Sequence, residues 1–355
     1  MRECDRTRVL IVDDSVVARK VITDLLSSDP ALEVAGTAAN GRIALSKVPT
    51  LRPDLILLDV EMPVMDGLET LRKIKRLEPD LPVIMFSSFT RAGAKVTVEA
   101  LTLGAADCVA KPKNLSDATS QDAVTKELVS KIKAIASARG KIIESDALVS
   151  PRPLPAEEIA ARHRVDVVAI GASTGGPNAV AEVLGSLPTD IPVPILIVVH
   201  MPSAFTPIYA ERLSRSSRLV VREARDGVVL EPGQVWLAPG DYHMTLSRKL
   251  ALVQIKLNQD PPENFCRPAV NVLLRSVSRV YRDRALAVLM TGMGEDGLRG
   301  AELMHAQGAQ IIAQDERSSV VWGMAGAVAK AGIARKIVPL REIAYEIVRC
   351  VKVER

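Results

Sequence analysis

The stretch GASTGGP, residues 171–177, places a serine between glycines directly after an apolar run at 165–170. A serine in a G-x-S-x-G pattern can be presented on a sharp turn between a strand and a helix, where its hydroxyl can attack a carbonyl. A glycine-rich turn of this kind equally suits the binding of a phosphate by backbone N–H groups. The loop has no lysine of the P-loop type and does not spell G-x-G-x-x-G. The motif alone leaves both chemistries open.

A serine hydroxyl becomes a good nucleophile only when a base removes its proton, so Ser173 needs a histidine partner. The chain has four histidines. His200 follows the apolar run 195–199, so we expect it at the carboxyl end of a strand, as we do Ser173. The other three are placed differently: His163 in a proline-rich segment, His305 in a helical pattern at 301–307, and His243 in a loop where it could line a cleft.

The third member of a serine-histidine-carboxylate triad orients the imidazole and stabilises its charged form. Asp296 lies in TGMGEDG, residues 291–297, directly after the apolar run 286–290. This is again the carboxyl end of a predicted strand, and such ends share one edge of a parallel sheet, where ligands bind. Glu295 competes with Asp296, because the spacing gives only a modest preference for the aspartate. The pattern is typical of a hydrolytic triad at the edge of a sheet.

A second group of polar residues follows apolar runs in the N-terminal part of the chain. Its members are Asp13 and Asp14 after 9–12, Asp59 after 55–58, Ser87 after 83–86, and Lys111 before a proline. Carboxylates brought together repel one another unless a hard cation lies among them, and an oxygen-rich pocket suits Mg²⁺. With the charge screened, a carboxylate can attack a phosphoryl group while a hydroxyl and an ammonium balance the new charge. Taken singly, each aspartate could instead cap a helix.

The apolar runs that position both groups alternate with segments of helical periodicity, which predicts parallel sheets with crossover helices. A chain of 355 residues exceeds the usual size of one domain, so we expect two α/β domains. Apolar residues at 124, 128, 132 and 135 predict an amphipathic helix, and the segment 140–164, with SPRPLP at 150–155, predicts a linker. We expect domains at 7–123 and 165–351, joined by the helix and linker at 124–164.

Composition excludes several function classes. Aromatic residues make up 3% of the chain and basic residues are interspersed with acidic ones, so we expect no nucleic acid as partner. The four cysteines lack the paired spacing of a zinc site or a redox dithiol, which favours a reducing cytoplasm. The N-terminus has no signal-peptide core, and the longest apolar stretch, 191–199, is far shorter than the roughly 20 residues that span a bilayer. We therefore expect a cytoplasmic protein without direct membrane insertion.

The sequences LIVDDS, LLDVEMPVMDG, VIMFSS and AKP resemble the receiver domain of two-component response regulators over residues 7 to about 120. The resemblance implies a flavodoxin-like, doubly wound parallel sheet with Asp59 as the phosphoacceptor. The other assignments that it implies are Mg²⁺ held by Asp13, Asp14, Asp59 and the Glu61 backbone carbonyl, Ser87 as the switch hydroxyl, and Lys111 as the cation that pairs with the phosphate. Cys108 departs from the pattern, since receivers usually carry Tyr or Phe at that position.

The sequences GASTGGP, VVHMP, LAPGDYHM, TGMGEDG and AQDERSSVVWGM resemble the catalytic domain of the CheB family of chemotaxis receptor methylesterases over residues 165–350. The order of receiver, linker and this domain is also the family's. The resemblance implies a Rossmann-like doubly wound fold without a cofactor. It further implies Ser173 as nucleophile, His200 as general base and acid, and Asp296 as the orienting carboxylate. Departures from the family's pattern are Ala269, Asn271 and Ala325.

The resemblance implies hydrolysis of glutamyl methyl esters, and deamidation of particular glutamines, on methyl-accepting chemotaxis receptors. We expect backbone N–H groups near the turn, those of Thr174 and Met293, to hold the oxyanion. The resemblance also implies that the unphosphorylated receiver covers the cleft, and that a chemotaxis histidine kinase relieves this inhibition by phosphorylating Asp59. Two other readings stay open: a response regulator whose second domain only binds a nucleotide or a protein, and a stand-alone hydrolase of small esters, which would not need the receiver.

Overall fold

The computed structural model describes residues 6–88, 90–111, 118–144 and 164–351. The central part of the expected linker, 145–163, lies outside these residues and includes His163. Contacts within the chain divide it into two compact units, Met1–Gly140 and Lys141–Arg355. The domain limits expected from the sequence remain a prediction, and each unit is treated by itself.

Strands and helices alternate along the first unit. Its described strands are β1 (Thr7–Val12), β2 (Leu32–Ala38), β3 (Leu55–Asp59), β4 (Val83–Ser87) and β5 (Asp107–Ala110). Its helices are α1 (Val16–Ser27), α2 (Gly41–Leu51), α3 (Gly67–Leu77), α4 (Arg91–Thr102) and α5 (Ala118–Glu144), the last of which runs past Gly140. Helix α5 contains the predicted amphipathic segment and begins at Ala118 rather than at 124; Leu128, Ile132 and Ile135 are buried along it.

The five strands of the first unit form one parallel sheet in the order β2-β1-β3-β4-β5. This is the flavodoxin-like order that the sequence predicts. Strands β3 and β4 are buried along their whole length, which explains why they appear in the sequence as continuous apolar runs. Parallel pairing brings the carboxyl ends of β1, β3 and β4 to one edge, where the polar residues identified in the sequence begin.

Other residues cap the helices that follow these strands. The Ser15 side chain accepts from the backbone N–H of Ala18 at the start of α1, and the Asp66 side chain accepts from that of Glu69 at the start of α3. Helix capping is therefore not the role of the aspartates at the ends of β1 and β3. One oxygen each of Asp13 and Asp59 accepts from a nearby backbone N–H, that of Ser15 and that of Val60, and the other oxygen belongs to the pocket at the sheet edge.

The second unit also alternates strands with helices. Its described strands are β6 (Val167–Ala172), β7 (Ile195–Val199), β8 (Val221–Glu223), β9 (Val235–Leu237), β10 (His243–Lys249), β11 (Leu252–Asn258), β12 (Ala285–Leu289), β13 (Gln310–Gln314) and β14 (Lys336–Val338). Its helices are α6 (Gly176–Ser186), α7 (Thr206–Ser216), α8 (Val270–Tyr281), α9 (Leu298–Ala306), α10 (Met324–Lys330) and α11 (Leu340–Val351). The predicted runs 165–170, 195–199 and 286–290 correspond to β6, β7 and β12.

Seven of these strands form a parallel sheet in the order β14-β13-β12-β6-β7-β9-β8, and β10 and β11 form a separate antiparallel hairpin. From β6 the chain winds to β7, β8 and β9 on one side, and then crosses to β12 on the other side of β6. Such a reversal opens a crevice at the carboxyl ends of the strands, where ligands bind in doubly wound folds. Ser173 follows β6, His200 follows β7, and Asp296 lies in the loop after β12, all at this crevice.

Helix α8 fixes the approach to the crevice from one face of the sheet. Val270, Leu273, Leu274 and Val277 are completely buried, and this spacing of three and four residues gives the helix one apolar face. Packing of that face holds the N-terminus of α8 near the loop after β12. Among the described residues, no helix is long and apolar enough to cross a membrane.

Candidate functional site

Backbone hydrogen bonds join the strand ends that carry the three predicted triad residues. The N–H of Ser173 donates to the carbonyl of Thr291 at 3.0 Å, and the N–H of His200 donates to the carbonyl of Ala172 at 3.2 Å. The loops after β6, β7 and β12 are thereby held side by side. The structure thus brings the segments of Ser173, His200 and Asp296 together, as the spacing of the apolar runs predicts.

The turn that presents Ser173 depends on closely packed glycines. Gly175 has a φ of +76°, in the left-handed region that favours glycine, and the N–H of Gly176 donates to the Ser173 carbonyl at 2.7 Å. A Cβ placed on Gly292 would lie 2.8 Å from the Ser173 Cβ and 2.9 Å from its backbone nitrogen. The loop after β12 can therefore approach the serine only because residue 292 has no side chain.

His200 and Asp296 form a direct pair at the crevice. The Nε2 atom of His200 lies 2.8 Å from Oδ2 of Asp296, and their side chains are 13% and 2% exposed. Glu295, the competing carboxylate in the sequence, is exposed to solvent. Burial and the bond to the imidazole distinguish Asp296 from its neighbour, which the sequence could not do.

Asp296 is anchored at the N-terminus of α8 as well as at the imidazole. Its oxygens accept from the backbone N–H groups of Val270 at 2.6 Å and Asn271 at 3.0 Å. Burial alone would raise the pKa of Asp296, but the bonds from His200 and from the two N–H groups outweigh it and lower the pKa. The carboxylate is therefore ionised and can only accept hydrogen bonds.

The environment of His200 favours its charged form. Burial alone would lower the pKa of this imidazole, but the hydrogen bond with Asp296, followed by the contact with Cys266, raises it to about 10. Asp296 thus stabilises an imidazolium, as the carboxylate of a hydrolytic triad must.

The sequence analysis missed Cys266, whose Sγ lies 3.4 Å from Nδ1 of His200. Among the residues that the structure describes, the Ser173 hydroxyl makes no hydrogen bond, so the thiol and Asp296 are the recorded side-chain partners of the imidazole. Cys266 lies in the long connection between β11 and α8, 66 residues from His200. No spacing rule could have identified it, because its position depends on how that connection folds.

Thr174 and Met293 lie in the loops on either side of Ser173. Thr174 is 1% exposed, and the Thr291 hydroxyl donates to its carbonyl at 2.9 Å, which fixes the peptide. Within the described part of the chain, neither Thr174 nor Met293 uses its backbone N–H in a hydrogen bond. Both groups are therefore free to stabilise a negative charge that develops beside Ser173.

The remaining histidines have other roles. His243 opens β10 and is completely buried; its Nδ1 accepts from the N–H of Ala269 and its Nε2 lies 3.2 Å from the carbonyl of Pro261. The suggestion that His243 lines a cleft from a loop is wrong, because both ring nitrogens bind backbone in the interior. His305 is exposed on α9, and His163 lies outside the described residues.

The second predicted site lies in the first unit. Carboxylate oxygens of Asp13, Asp14 and Asp59 come within 4.8 Å of one another; Asp13 and Asp59 are buried, and Asp14 is exposed. Exposure of one carboxylate keeps the cluster accessible from solvent. A cluster of hard oxygen donors that solvent can reach fits the preference of Mg²⁺, which keeps several of its waters when carboxylates bind it.

Lys111 closes this pocket. Its ammonium lies 2.8 Å from Oδ2 of Asp13 and 2.8 Å from Oδ2 of Asp59. Burial alone would lower the pKa of Lys111, but the bonds to both carboxylates outweigh it and raise the pKa. For Asp59, burial raises the pKa and outweighs the opposing effect of Lys111. The ammonium is thus a fixed positive charge beside the candidate phosphoacceptor.

Ser87, Glu61 and Cys108 complete the positions named from the sequence. Ser87 ends β4, is completely buried, and directs its hydroxyl to the carbonyl of Ser88 at 3.4 Å. Glu61 is exposed two residues after Asp59. Cys108 is buried in β5, where burial raises the pKa of its thiol to about 12, so it stays protonated at neutral pH.

Comparison with known proteins identifies the family that each unit resembles. A family profile described as CheB methylesterase matches residues 168–347, and one described as response regulator receiver domain matches residues 9–121. A protein from Trichodesmium erythraeum named protein-glutamate methylesterase/protein-glutamine glutaminase is 46% identical over 346 residues, which cover 96% of this chain and 98% of that protein. The chain belongs to the CheB methylesterase family.

Two further comparisons agree with this assignment to the CheB family. A Nocardioides protein with the same name is 47% identical over 350 residues, which cover 96% of this chain and 94% of that protein. The crystal structure of the Thermotoga maritima CheB methylesterase catalytic domain superposes with a TM-score of 0.51 at 38% identity, covering 52% of this chain and 98% of that domain. The expected family and both expected fold classes are confirmed. The reading of the second domain as a non-catalytic binding module is not favoured.

Proposed function

We propose that this chain hydrolyses glutamate methyl esters on methyl-accepting chemotaxis receptors, deamidates particular receptor glutamines, and is activated by phosphorylation of its receiver domain. The observation that carries this proposal is the Asp296–His200 pair at the crevice edge beside the glycine-framed Ser173. Relatives of nearly the same length carry the name protein-glutamate methylesterase/protein-glutamine glutaminase. In this reaction the enzyme resets receptor signalling during adaptation.

In the first half of the reaction, Ser173 attacks the γ-carbonyl carbon of the glutamyl methyl ester. His200 accepts the serine proton and then delivers it to the departing methoxide, so that methanol leaves and an acyl-enzyme remains. Asp296 holds the imidazole in place and stabilises the imidazolium between these two transfers. A glutamine side chain follows the same route with ammonia as the leaving group.

In the second half, water attacks the acyl-enzyme while His200 accepts its proton and returns one to Ser173. The product is a glutamate carboxylate on the receptor. Both halves pass through a tetrahedral oxyanion, and the backbone N–H groups of Thr174 and Met293 are the proposed donors to it. Their unused hydrogen-bonding capacity supports this role, because a fixed donor typically lowers such a barrier by about 3 to 4 kcal/mol.

In the receiver, Asp59 is the proposed phosphoacceptor. Its carboxylate attacks the phosphorus of a phosphodonor, Lys111 balances the charge that arrives with the phosphoryl group, and the Ser87 hydroxyl binds one phosphoryl oxygen. Mg²⁺ would be held by the carboxylates of Asp13, Asp14 and Asp59 and by the Glu61 backbone carbonyl. When bound, the ion supplies charge screening for the attack of one anion on another.

Control of the activity rests on the change of charge at the edge of the receiver sheet. A phosphoryl group adds roughly two negative charges to the pocket. The Lys111 ammonium there already balances the charge of the carboxylates. The proposed phosphodonor is a chemotaxis histidine kinase, and the proposed consequence is that the receiver no longer covers the catalytic cleft. A packed interface with two arrangements can respond in this way to a local charge.

The experiment that tests the assignment measures methanol release from receptor membranes whose glutamates carry methyl esters. We expect Ser173→Ala to lower the rate by at least about 10³-fold, because loss of a triad nucleophile removes the acyl-enzyme route. Ser186→Ala, at the far end of helix α6, which follows Ser173, and exposed, is the matched control and should keep the wild-type rate. Methanol release that survives in Ser173→Ala at the wild-type rate would contradict the nucleophile assignment.

A further inference from the structure

The His200 imidazole uses both of its nitrogens in this structure. Asp296 is an ionised acceptor at Nε2, so Nε2 carries a proton and donates it to the carboxylate. The nitrogen that can gain or lose a proton is therefore Nδ1. That atom faces the Cys266 thiol at 3.4 Å, and not the Ser173 hydroxyl.

A tight, well-anchored turn directs the thiol at the imidazole. Glu263 and Cys266 exchange two backbone hydrogen bonds of 3.1 and 2.9 Å, and the residues between them, Asn264 and Phe265, have φ values of +52° and +63°. Positive φ at both central residues defines a type I′ turn. The Glu263 carboxylate binds both terminal nitrogens of Arg275 on α8 at 2.7 and 2.5 Å. The turn is thus fastened to the same helix that holds Asp296.

The Nδ1 atom of His200 can bind only one partner at a time: as N–H it donates to the Cys266 sulfur, and only as a free lone pair can it accept the proton of Ser173. Ser173 can pass its proton to His200 only through a ring nitrogen that is unprotonated and free. In the present arrangement Nε2 is committed to Asp296 and Nδ1 to Cys266. The thiol and the serine hydroxyl therefore compete for the same atom.

On the basis of the function proposed above, we propose that Cys266 is a positioning residue. Its thiol holds Nδ1 of His200 and must release that nitrogen before Ser173 can transfer its proton. The contact with Cys266 is also one of the causes that raise the pKa of His200. An imidazolium cannot act as a base, so the thiol keeps the histidine in its inactive protonation state up to a higher pH. The charged or titratable groups that face the ring are Asp296 and Cys266, and the Glu263–Arg275 pair borders Asp296.

The test is the pH dependence of kcat/KM for methanol release by the full chain and its Cys266→Ala variant. Activity rises with pH as His200 loses its proton, so removing the thiol should move this acid limb to lower pH by about one unit, the size expected when a stabilising partner of a charged group is lost. KM should change little, because the thiol acts on the base. Cys266→Ser, whose hydroxyl can still accept from Nδ1–H, should keep the limb closer to that of the wild type than Cys266→Ala does.

Phe265→Ala is the matched control, since Phe265 is fully exposed in the same turn and does not touch the imidazole. Its acid limb should coincide with that of the wild type. Coincidence of the limbs of wild type and Cys266→Ala would overturn the proposal. So would a shift of equal size in Phe265→Ala, which would trace the effect to the turn and not to the thiol.

A second measurement does not depend on esterase activity. NMR titration of the His200 imidazole in the full chain should give a lower midpoint in Cys266→Ala than in the wild type. Equal midpoints would overturn the role of Cys266 even if the wild type releases methanol as expected. A wild type that releases no methanol would instead contradict the proposed function, while the titration would still decide the role of Cys266.

Discussion

Besides its proposed role as general base and acid, the His200 imidazole makes folding stability depend on pH. Its pKa rises from an ordinary 6.5 to about 10 in the folded chain, because the effect of its hydrogen-bond partners outweighs that of burial. A group whose pKa is higher in the folded state stabilises the fold through its protonated form. This contribution is complete below about pH 6.5 and is lost as the pH rises through about 10.

We expect His200→Gln to lower the free energy of unfolding most at low pH. The difference from the wild type should be constant below about pH 6.5 and should shrink steadily up to about pH 10. Urea denaturation at a series of pH values measures it. A difference that grows with pH would contradict the direction of the pKa shift.

Individual residues differ in how far the sequence could place them. Ser173, His200 and Asp296 were predicted to share an edge because each follows a continuous apolar run, and parallel strands align their carboxyl ends. The choice between Asp296 and Glu295 needed burial, which adjacent residues in a glycine-rich loop do not reveal. Cys266 could not be predicted, because its contact depends on a turn with two positive φ angles.

At the scale of elements, helices α8 and α9 cap each other through one pair of residues. Asp296, just before α9, accepts from the N–H groups of Val270 and Asn271 at the start of α8. In return, Oδ1 of Asn271 accepts from Gly297 at 3.0 Å and Gly300 at 2.9 Å, at the start of α9. Each helix N-terminus is satisfied by a side chain from the other, which fixes the Asp296 carboxylate between them.

Asn271→Ala should therefore damage both stability and catalysis. It leaves two buried N–H groups without an acceptor, which typically costs about 1 to 3 kcal/mol. It also frees the backbone next to Asp296, so kcat should fall. Thermal denaturation and methanol release measure the two effects.

Asn271→Asp is the matched variant, since its carboxylate can still accept both hydrogen bonds. It should retain more stability than the alanine variant, although it brings a second negative charge close to Asp296. An alanine variant as stable and active as the wild type would show that the exchange of caps is unimportant.

The elements themselves were predictable to different degrees. Strands β3, β4, β6, β7 and β12 are buried along their whole length, so their apolar runs stand out in the sequence. The edge strands β8 and β14 have only three residues each, too few to form a pattern. The β10–β11 hairpin was not predicted, because its partly exposed strands lack a continuous apolar run. His243 was therefore expected in a loop, whereas it lies in the interior at the start of β10.

At the scale of the whole molecule, the chain carries two chemistries on two parallel sheets. One sheet edge gathers carboxylates and an ammonium, and the other gathers a serine, a histidine and a carboxylate. We propose that residues 7–123 and 165–351 are the domains that carry them, joined by 124–164.

Whether phosphorylation of the receiver controls ester hydrolysis can be tested by a substitution of Asp59. A small phosphodonor with Mg²⁺ should raise methanol release by the full chain and should not do so for Asp59→Asn, because the amide cannot attack phosphorus. Asp80→Asn, at an exposed position of the same unit, should respond like the wild type. Equal stimulation of Asp59→Asn and wild type would mean that the phosphodonor acts elsewhere.

The shared use of Asp296 has a consequence for how such a chain can change under selection. A descendant that no longer needs to cleave esters could lose Ser173 at little structural cost, since the serine hydroxyl makes no hydrogen bond within the described residues. Loss of Asp296 would also uncap α8 and leave buried N–H groups unpaired. Inactive descendants should therefore discard the nucleophile first and keep the aspartate. The presence of Asp296 in a descendant would then show only that the fold is kept, whereas the presence of Ser173 would indicate that the activity is kept.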